Sequence, residues 1–356
     1  MISMIQILKL AVARGASDIH LTANSPPLLR VDGSLFKVNS PELSSEDVKN
    51  LCYSVISDDQ KATFETEKNL DFSFFIKKLA RFRGALFFQK ASVVGVFRLL
   101  HNEAPELKDL GLPPVVEDIT NFPHGLVLMT GPTGSGKSTT LAAITNVLNE
   151  NRRAHILTIE DPIEIVHPHK NSIVNQREIG VDCRNFQDGL KNALRSDPDI
   201  CFIGEMRDKG TIESALKLAE TGHLVFSTLH TNSAAKTIDR LIGVFNPEDR
   251  TLIQNQLSTV LQAVVSQRLI PGVDGGRKVA IEVMMVNPAI RNLIREGKVF
   301  QIYSVMQTNF EQGSVTMNRS LLELIQKGEI SPEEAFKVTP QRDELLELLK
   351  RYKIAS

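Results

Sequence analysis

Apolar and polar positions follow two different rhythms along the chain. In the first hundred residues the apolar runs are short and the period keeps changing. Residues 4–14 carry apolar side chains at helical spacing, which puts Ile5, Leu8 and Val12 on one face. ASDIHLT and LLRVDG read as strands separated by the turn signal NSPP. SSEDVKNLCYSVI (44–56) reads as a helix opened by a serine cap and early acids. Segments 70–76, 81–89 and 92–99 alternate or run apolar, as strands do. From residue 125 onward, short apolar strands alternate with helical segments: GLVLMTG, a helix over 137–149, HILTIED, a helix around 185–196, DICFIGE, a helix over 210–221, and HLVFSTLH. Strands joined by helical crossovers predict a mostly parallel sheet covered on both faces. Beyond about residue 233 the pattern predicts mainly helix. The fold class is therefore α/β, with a small α/β domain over 1–100 and a larger one over 115–356. The Pro- and acid-rich stretch HNEAPELKDLGLPP (101–114) lies between them as a linker.

Composition narrows the function classes. A chain of 356 residues suits two domains, and 42% hydrophobic content is enough to give each a core. Lys plus Arg is 41 against 42 Asp plus Glu, so the basic excess of a nucleic-acid footprint is missing and no nucleic-acid partner is expected. Cys52, Cys183 and Cys201 are far apart and form no C-x-x-C pair, which disfavours a disulfide framework and a four-cysteine zinc site. The first residues lack the pattern of a signal peptide, and no window approaches the roughly 18 apolar residues of a membrane span. A cytosolic chain with no direct membrane insertion is the expectation.

One motif carries specific chemistry. The strand GLVLMT runs into Gly131, Pro132, Thr133, Gly134, Ser135, Gly136, Lys137 and Ser138, followed by Thr139 and a helix. This is G-x-x-x-x-G-K-[ST] between a strand and a helix, the context the motif requires. Glycines let successive backbone N–H groups face an anion, and the helix N-terminus adds partial positive charge. Lys137 would reach the β- and γ-phosphates and Ser138 would ligate magnesium, so the chain is expected to bind a nucleoside triphosphate with Mg2+.

Ligands of such sheets collect at the carboxyl ends of the strands. HILTIEDPIE places Glu160, Asp161 and Glu164 at and just past one such end. Glu164 is set off by Pro162 and can orient or deprotonate a water, unless these acids only end the strand and cap the next segment. DPDICFIGEMRD ends a strand in Glu205, which can hold magnesium or its water shell where an Asp is more usual. TGHLVFSTLHTNSA sets His223 before a strand and His230 after it, beside Ser227 and Thr228. Such histidines are commonly structural, but at a phosphate site an imidazole can bond a phosphate oxygen. Arg81, Arg83 and Arg98 fall on strands of the first domain. They read either as surface arginines or as stabilisers of a transferring phosphoryl group.

The motifs taken together resemble the secretion-type ATPases of the type II secretion and type IV pilus superfamily, most closely its retraction members. Carrying the resemblance are GASDIHL, PPLLRVDG, GPTGSGKSTT, TIEDPIE, LRSDPDICFIGEMRD, TGHLVFSTLHTNSAAKTIDRLIGVF and AIRNLIREGKVFQIYSVMQT. Ala289–Glu296 (AIRNLIRE) is typical of the retraction branch, and its Ile290, Leu293 and Ile294 form an apolar helical stripe. Two stretches, RFRGALFFQ and NFEQGSVTMNRSL, depart from the pattern. The resemblance implies a PAS-like N-terminal domain, a RecA-like P-loop ATPase domain and a homo-hexamer with sites between subunits. It implies ATP and Mg2+, with Lys137 and Ser138 in the Walker A role, Glu205 as Walker B acid and Glu164 as catalytic glutamate. His223 and His230 become a histidine pair, and Arg81 and Arg98 become candidates for reaching the phosphates. The partners implied are an inner-membrane pilus platform protein and paralogous pilus ATPases, met from the cytoplasmic side at the pilus base. Rival readings are an extension or secretion motor, a non-hydrolysing accessory ring and a nucleic-acid motor.

Overall fold

The computed structural model describes residues 2–354 except Asp32, Lys78, 101–103 and Lys353, and gives only the backbone of Glu311. The chain divides into two compact units: Met1–Glu103 with Pro162–Val166, and Ala104–Asp161 with His167–Ser356. Of the stretch 101–114, residues 101–103 lie outside the described residues. The remainder groups with the second unit, where Leu107 is buried.

The first unit is a six-stranded antiparallel sheet with helices on one face. Its strands are β1 (Asp18–Leu21), β2 (Leu28–Val31), β3 (Ser34–Lys37), β4 (Asn69–Ile76), β5 (Ala80–Gln89) and β6 (Ser92–Leu100), in the order β3-β2-β1-β6-β5-β4. Alternate side chains of β1, β2, β4, β5 and β6, such as Ile19, Leu29, Phe72, Phe82 and Phe97, pack under the helices Met4–Ala13, Ser45–Tyr53 and Asp58–Glu67, whereas β3 is exposed. All three helices open on a serine capping box, from Ser3, Ser44 and Ser57. The buried stripe of the first helix is Met4, Ile7, Leu8 and Ala11, whereas Ile5 is half exposed. The sequence expectation for that face was therefore rotated. The i, i+3, i+4, i+7 set starting at Met4 buries four side chains, and no set containing both Ile5 and Leu8 does as well.

The second unit is built on a seven-stranded sheet. Its strands are β7 (Gly125–Thr130), β8 (His155–Glu160), β9 (Ile173–Glu178), β10 (Ile200–Ile203), β11 (Leu224–Leu229), β12 (Leu261–Pro271) and β13 (Arg277–Met285). The order is β13-β12-β7-β11-β10-β8-β9, with every pair parallel except β12 with β13. A sheet buried on both faces explains why β7, β10 and β11 are apolar runs rather than alternating ones. Leu126, Leu128, Val225 and Cys201 face the helices Phe186–Ala193, Lys209–Glu220, Ala234–Gly243 and Arg250–Val260. Val127, Met129, Phe202 and Phe226 face the helix Lys137–Asn151. A third cluster packs Ile270 and Ala280, at the far end of the β12–β13 hairpin, under the helices Met317–Gln326, Pro332–Val338 and Arg342–Arg351.

The expectation of mainly helix beyond 233 needs correction, because β12 and β13 are among the longest strands of the chain. Their apolar runs AVV and VAIEVMM are buried on both sides and have no polar alternation to mark them as strands. Phe202 and Phe226 stack with ring centroids 4.7 Å apart on adjacent central strands. Phe226→Ala should therefore cost about 3–5 kcal/mol, through lost transfer free energy and a cavity that the sheet cannot close. Chemical denaturation that gave less than about 1 kcal/mol would contradict this packing.

Candidate functional site

Because β7, β8, β10, β11 and β12 are parallel, their carboxyl ends share one edge of the sheet. At the end of β7 the backbone turns through Gly131, Gly134 and Gly136, all at positive φ (142°, 77° and 89°). Gly136 is the N-cap of the helix Lys137–Asn151. A Cβ on Gly131 would lie 2.3 Å from the Gln267 carbonyl oxygen, and one on Gly136 would lie 2.7 Å from Gln267 Nε2. Only glycine fits this cradle. Lys137 is buried, and its Nζ donates to the Gly131 and Pro132 carbonyls at 2.8 and 3.0 Å, which curls it under the loop it would share with a phosphate. The buried Ser135 Oγ makes no hydrogen bond among the described residues. Such an orphaned hydroxyl inside a glycine cradle suits an anionic ligand that supplies acceptors. Pro132, Thr133, Ser138 and Thr139 complete the loop and the first helical turn.

Two neighbours of this loop escaped the sequence reading. Gln267 Oε1 accepts from Thr140 Oγ1 at 2.9 Å, and Ser266 Oγ and Thr130 Oγ1 share a hydrogen bond of 2.7 Å. Both residues lie on β12, beside β7, and so brace the loop from the strand next to it. The only signal for them was the strand itself, which the sequence pattern did not reveal.

Two strands away, β10 is followed by Gly204 and Glu205. Gly204 N donates to the Ile159 carbonyl at 2.8 Å and Met206 N to the Thr228 carbonyl at 3.2 Å, which fixes the backbone on both sides of Glu205. Glu205 Oε2 receives Arg207 Nη2 at 2.7 Å and lies 3.3 Å from His230 Nε2 at the end of β11. Burial opposes ionisation of Glu205, but the Arg207 bond and the charges of His230 and Arg207 outweigh it. Its carboxyl is held below the ordinary carboxylate range. A carboxylate that stays ionised at this edge is a hard oxygen donor, and together with the Ser138 hydroxyl it fits Mg2+. Among the described residues no group of three His, Cys, Asp or Glu could hold a metal alone, so substrate phosphates and water would have to complete the coordination shell. Arg207, two residues past the predicted acid, is a further site residue that the sequence reading did not single out.

Other predicted residues are placed differently. Ser227 Oγ and Thr228 Oγ1 donate to the Ile203 and Gly204 carbonyls at 2.9 and 2.6 Å, so these hydroxyls brace β10. His223 lies at the amino end of β11, where Nδ1 meets the Leu218 carbonyl at 2.9 Å. A strand of six residues separates it from His230, so within one chain the two histidines are at opposite edges of the sheet. Glu160 closes β8 and takes bonds from Thr158 Oγ1 and Gln176 Nε2 at 2.5 and 3.0 Å, while Asp161 is exposed. Glu164 is exposed on the segment Pro162–Val166, which groups with the first unit.

Within that first unit, the register aligns Arg30, Asp18, Arg98, Arg83 and Ser73 across β2, β1, β6, β5 and β4. Arginines facing one another across strands repel, and carboxylates offset this here. Arg98 Nε donates to Asp18 Oδ1 at 2.9 Å, and Arg83 lies 3.9 Å from Asp71. Arg81 Nη2 donates to Ser73 Oγ at 2.7 Å. All three sit on the sheet face opposite the helices, as their alternation with buried Ala80, Phe82 and Phe97 requires.

The segment AIRNLIRE forms most of the helix Pro288–Arg295, with Ile290 and Ile294 buried. Arg291 is not simply a solvent-facing polar residue. Its Nη1 donates to the Ser258 and Thr259 carbonyls at 2.8 and 2.9 Å, and its Nη2 to Gln262 Oε1 at 2.9 Å, placing a cation at the C-terminus of the helix Arg250–Val260.

A glycine-lined loop, an acid and an imidazole thus follow adjacent strands at one edge of the sheet. The chain is 49% identical over 330 residues to the type IV pilus retraction ATPase PilT of Pseudomonas aeruginosa, covering 93% of this chain and 96% of the relative. It is 46% identical over 334 residues to a twitching motility protein of Neisseria gonorrhoeae, covering 94% and 89%. It superposes with a TM-score of 0.92 on a crystal structure of the pilus retraction motor PilT with bound ADP, at 47% identity over 98% of this chain and all of that one. Residues 1–337 match the type II/IV secretion system protein family. With nearly the whole length matched, the chain belongs to the type II/IV secretion system protein family.

Proposed function

We propose that this protein is a motor ATPase that couples hydrolysis of Mg-ATP to retraction of a type IV pilus. The observation that carries the reading is the shared sheet edge, where the Gly131–Lys137 cradle follows β7 and Glu205 follows β10, with His230, after the intervening β11, 3.3 Å from the Glu205 carboxylate. Near full-length similarity to proteins named for retraction and twitching motility supports retraction over extension or secretion. In this reading residues 1–100 form a PAS-like domain and 115–356 a RecA-like ATPase domain, joined through 101–114. The backbone of Gly131–Gly136 and the Lys137 ammonium bind the β- and γ-phosphates, and Thr139 belongs to the same first helical turn. Ser138 and, through water, Glu205 would hold Mg2+, which would supply charge neutralisation at the phosphates.

Glu164 takes a proton from the attacking water as oxygen bonds to the γ-phosphorus and the bond to the ADP oxygen breaks. His230 keeps Glu205 oriented and meets the phosphate as it leaves. Arg81 and Arg98 stabilise the transferring phosphoryl group once their present partners, Ser73 and Asp18, are exchanged for it. His223, at the far edge of the sheet, is assigned to a contact between subunits of a homo-hexamer. Among the described residues no helix is long and apolar enough to cross a membrane. Force would then reach the pilus through an inner-membrane platform protein, from the cytoplasmic side and alongside paralogous ATPases.

Cells lacking the gene, complemented with the wild type or with Glu164→Gln, test the reading directly. Abundant surface pili that shorten only with the wild type are the expected result. Bald cells would turn the assignment to extension.

A further inference from the structure

Glu282 lies on β13 in the interior of the second unit, 1% exposed, and takes no part in the mechanism above. Its Oε1 accepts the backbone N–H of Ala234 at 2.7 Å, the first residue of the helix Ala234–Gly243. That helix begins four residues after His230. The loop between them is tied back to it by a 2.6 Å hydrogen bond between the hydroxyls of Thr231 and Thr237, and Thr237 Oγ1 also donates to the Ser233 carbonyl at 2.8 Å. At the loop's other end His230 meets Glu205 at 3.3 Å. On the neighbouring strand Glu282 is paired in register with Ser266, whose hydroxyl bonds Thr130 at the base of the phosphate loop. A continuous set of contacts therefore runs from Glu282 to both halves of the nucleotide edge.

We propose that Glu282 is a positioning residue that seats the start of the helix Ala234–Gly243 and through it holds His230 against Glu205. A carboxylate is a costly way to fill this space. Burial works against its ionisation, opposed chiefly by the N–H groups of Ala234 and Met317, and its Oε2 makes no well-formed hydrogen bond among the described residues. An apolar side chain of the same volume would pack there without that penalty. What the carboxyl group adds is direction: its Oε1 fixes a buried helix end by accepting one backbone N–H. The helix already has Ser233 as its N-cap, accepting from Lys236 N at 3.4 Å, so Glu282 is not needed simply to start it.

The inference rests on the role of His230 proposed above, and the test separates the two. Phosphate release is measured against Mg-ATP concentration for Glu282→Met, which keeps volume and loses the acceptor, and for Glu282→Gln, which keeps an acceptor oxygen. Glu282→Met should lower kcat about tenfold with KM within about twofold, and Glu282→Gln should recover most of that loss. In a His230→Ala background, Glu282→Met should cost nothing further. A His230→Ala enzyme as active as the wild type would sink the reading of His230 itself. A slow His230→Ala enzyme on which Glu282→Met imposes its full additional loss would overturn the positioning role alone. Wild-type kinetics in Glu282→Met would overturn it too. Should that variant fail to fold, Ala234→Pro takes its place. It removes the donor at the first helical position, where proline is accommodated, and the same outcomes apply.

Discussion

Lys137→Ala should abolish ATP hydrolysis, lowering turnover by about a thousandfold or more, and should weaken nucleotide binding as well. The side chain is buried under the loop with its ammonium on the Gly131 and Pro132 carbonyls. It therefore has two consequences when removed. The positive charge that would meet the β- and γ-phosphates disappears, and a charge-assisted hydrogen bond of this kind contributes about 1.5–3 kcal/mol even before transition-state charge develops. Two carbonyls inside the curl also lose their donor, so the N–H groups around them are held less firmly. Both effects act on the same phosphates, which is why binding and catalysis should fall together. Phosphate release and titration with a fluorescent ATP analogue measure the two. Thermal unfolding should stay within a few degrees of the wild type, because the helix Lys137–Asn151 keeps its apolar packing on Val127 and Met129. Turnover close to wild type would mean that this loop is not where the triphosphate is hydrolysed.

How far the site could be read from sequence depends on the range of the interaction concerned. The phosphate loop is local: three glycines at positive φ, a lysine and a helix start lie within eight residues, and each leaves its mark on the sequence. Glu205 and His230 were legible because parallel topology obliges strand ends to share an edge, so an acid and an imidazole just past two apolar runs must come close. His223 shows the limit of that argument. It flanks the same strand, but strand direction puts it at the opposite edge. Gln267 and Ser266 were invisible for a different reason. Their strand is buried on both faces and has no period to announce it, and the helical reading of that region removed the neighbour that braces the loop. Arg207 is exposed and looks like any surface arginine until its 2.7 Å bond to Glu205 is seen.

Glu164→Gln should keep ATP binding within about threefold of the wild type and lower hydrolysis by a hundredfold or more, the usual contribution of a positioned general base. The substitution is close to isosteric, and Glu164 is exposed, so little packing is at stake. Ile163 beside it is buried and keeps the segment Pro162–Val166 anchored whatever stands at 164. The amide can still orient a water but cannot take its proton, which separates proton transfer from binding. Magnesium dependence gives the necessary control. If Glu205 and Ser138 hold the ion, the Mg2+ concentration at half-maximal ATP binding should be unchanged in Glu164→Gln and raised in Glu205→Gln. Single-turnover phosphate release at saturating Mg-ATP measures the chemical step. Hydrolysis near the wild-type rate would move the base elsewhere in the acidic stretch. Glu160 is then a poor substitute, since its Oε1 already accepts from Thr158 and Gln176. Asp161, exposed at the end of β8, would become the residue to replace next.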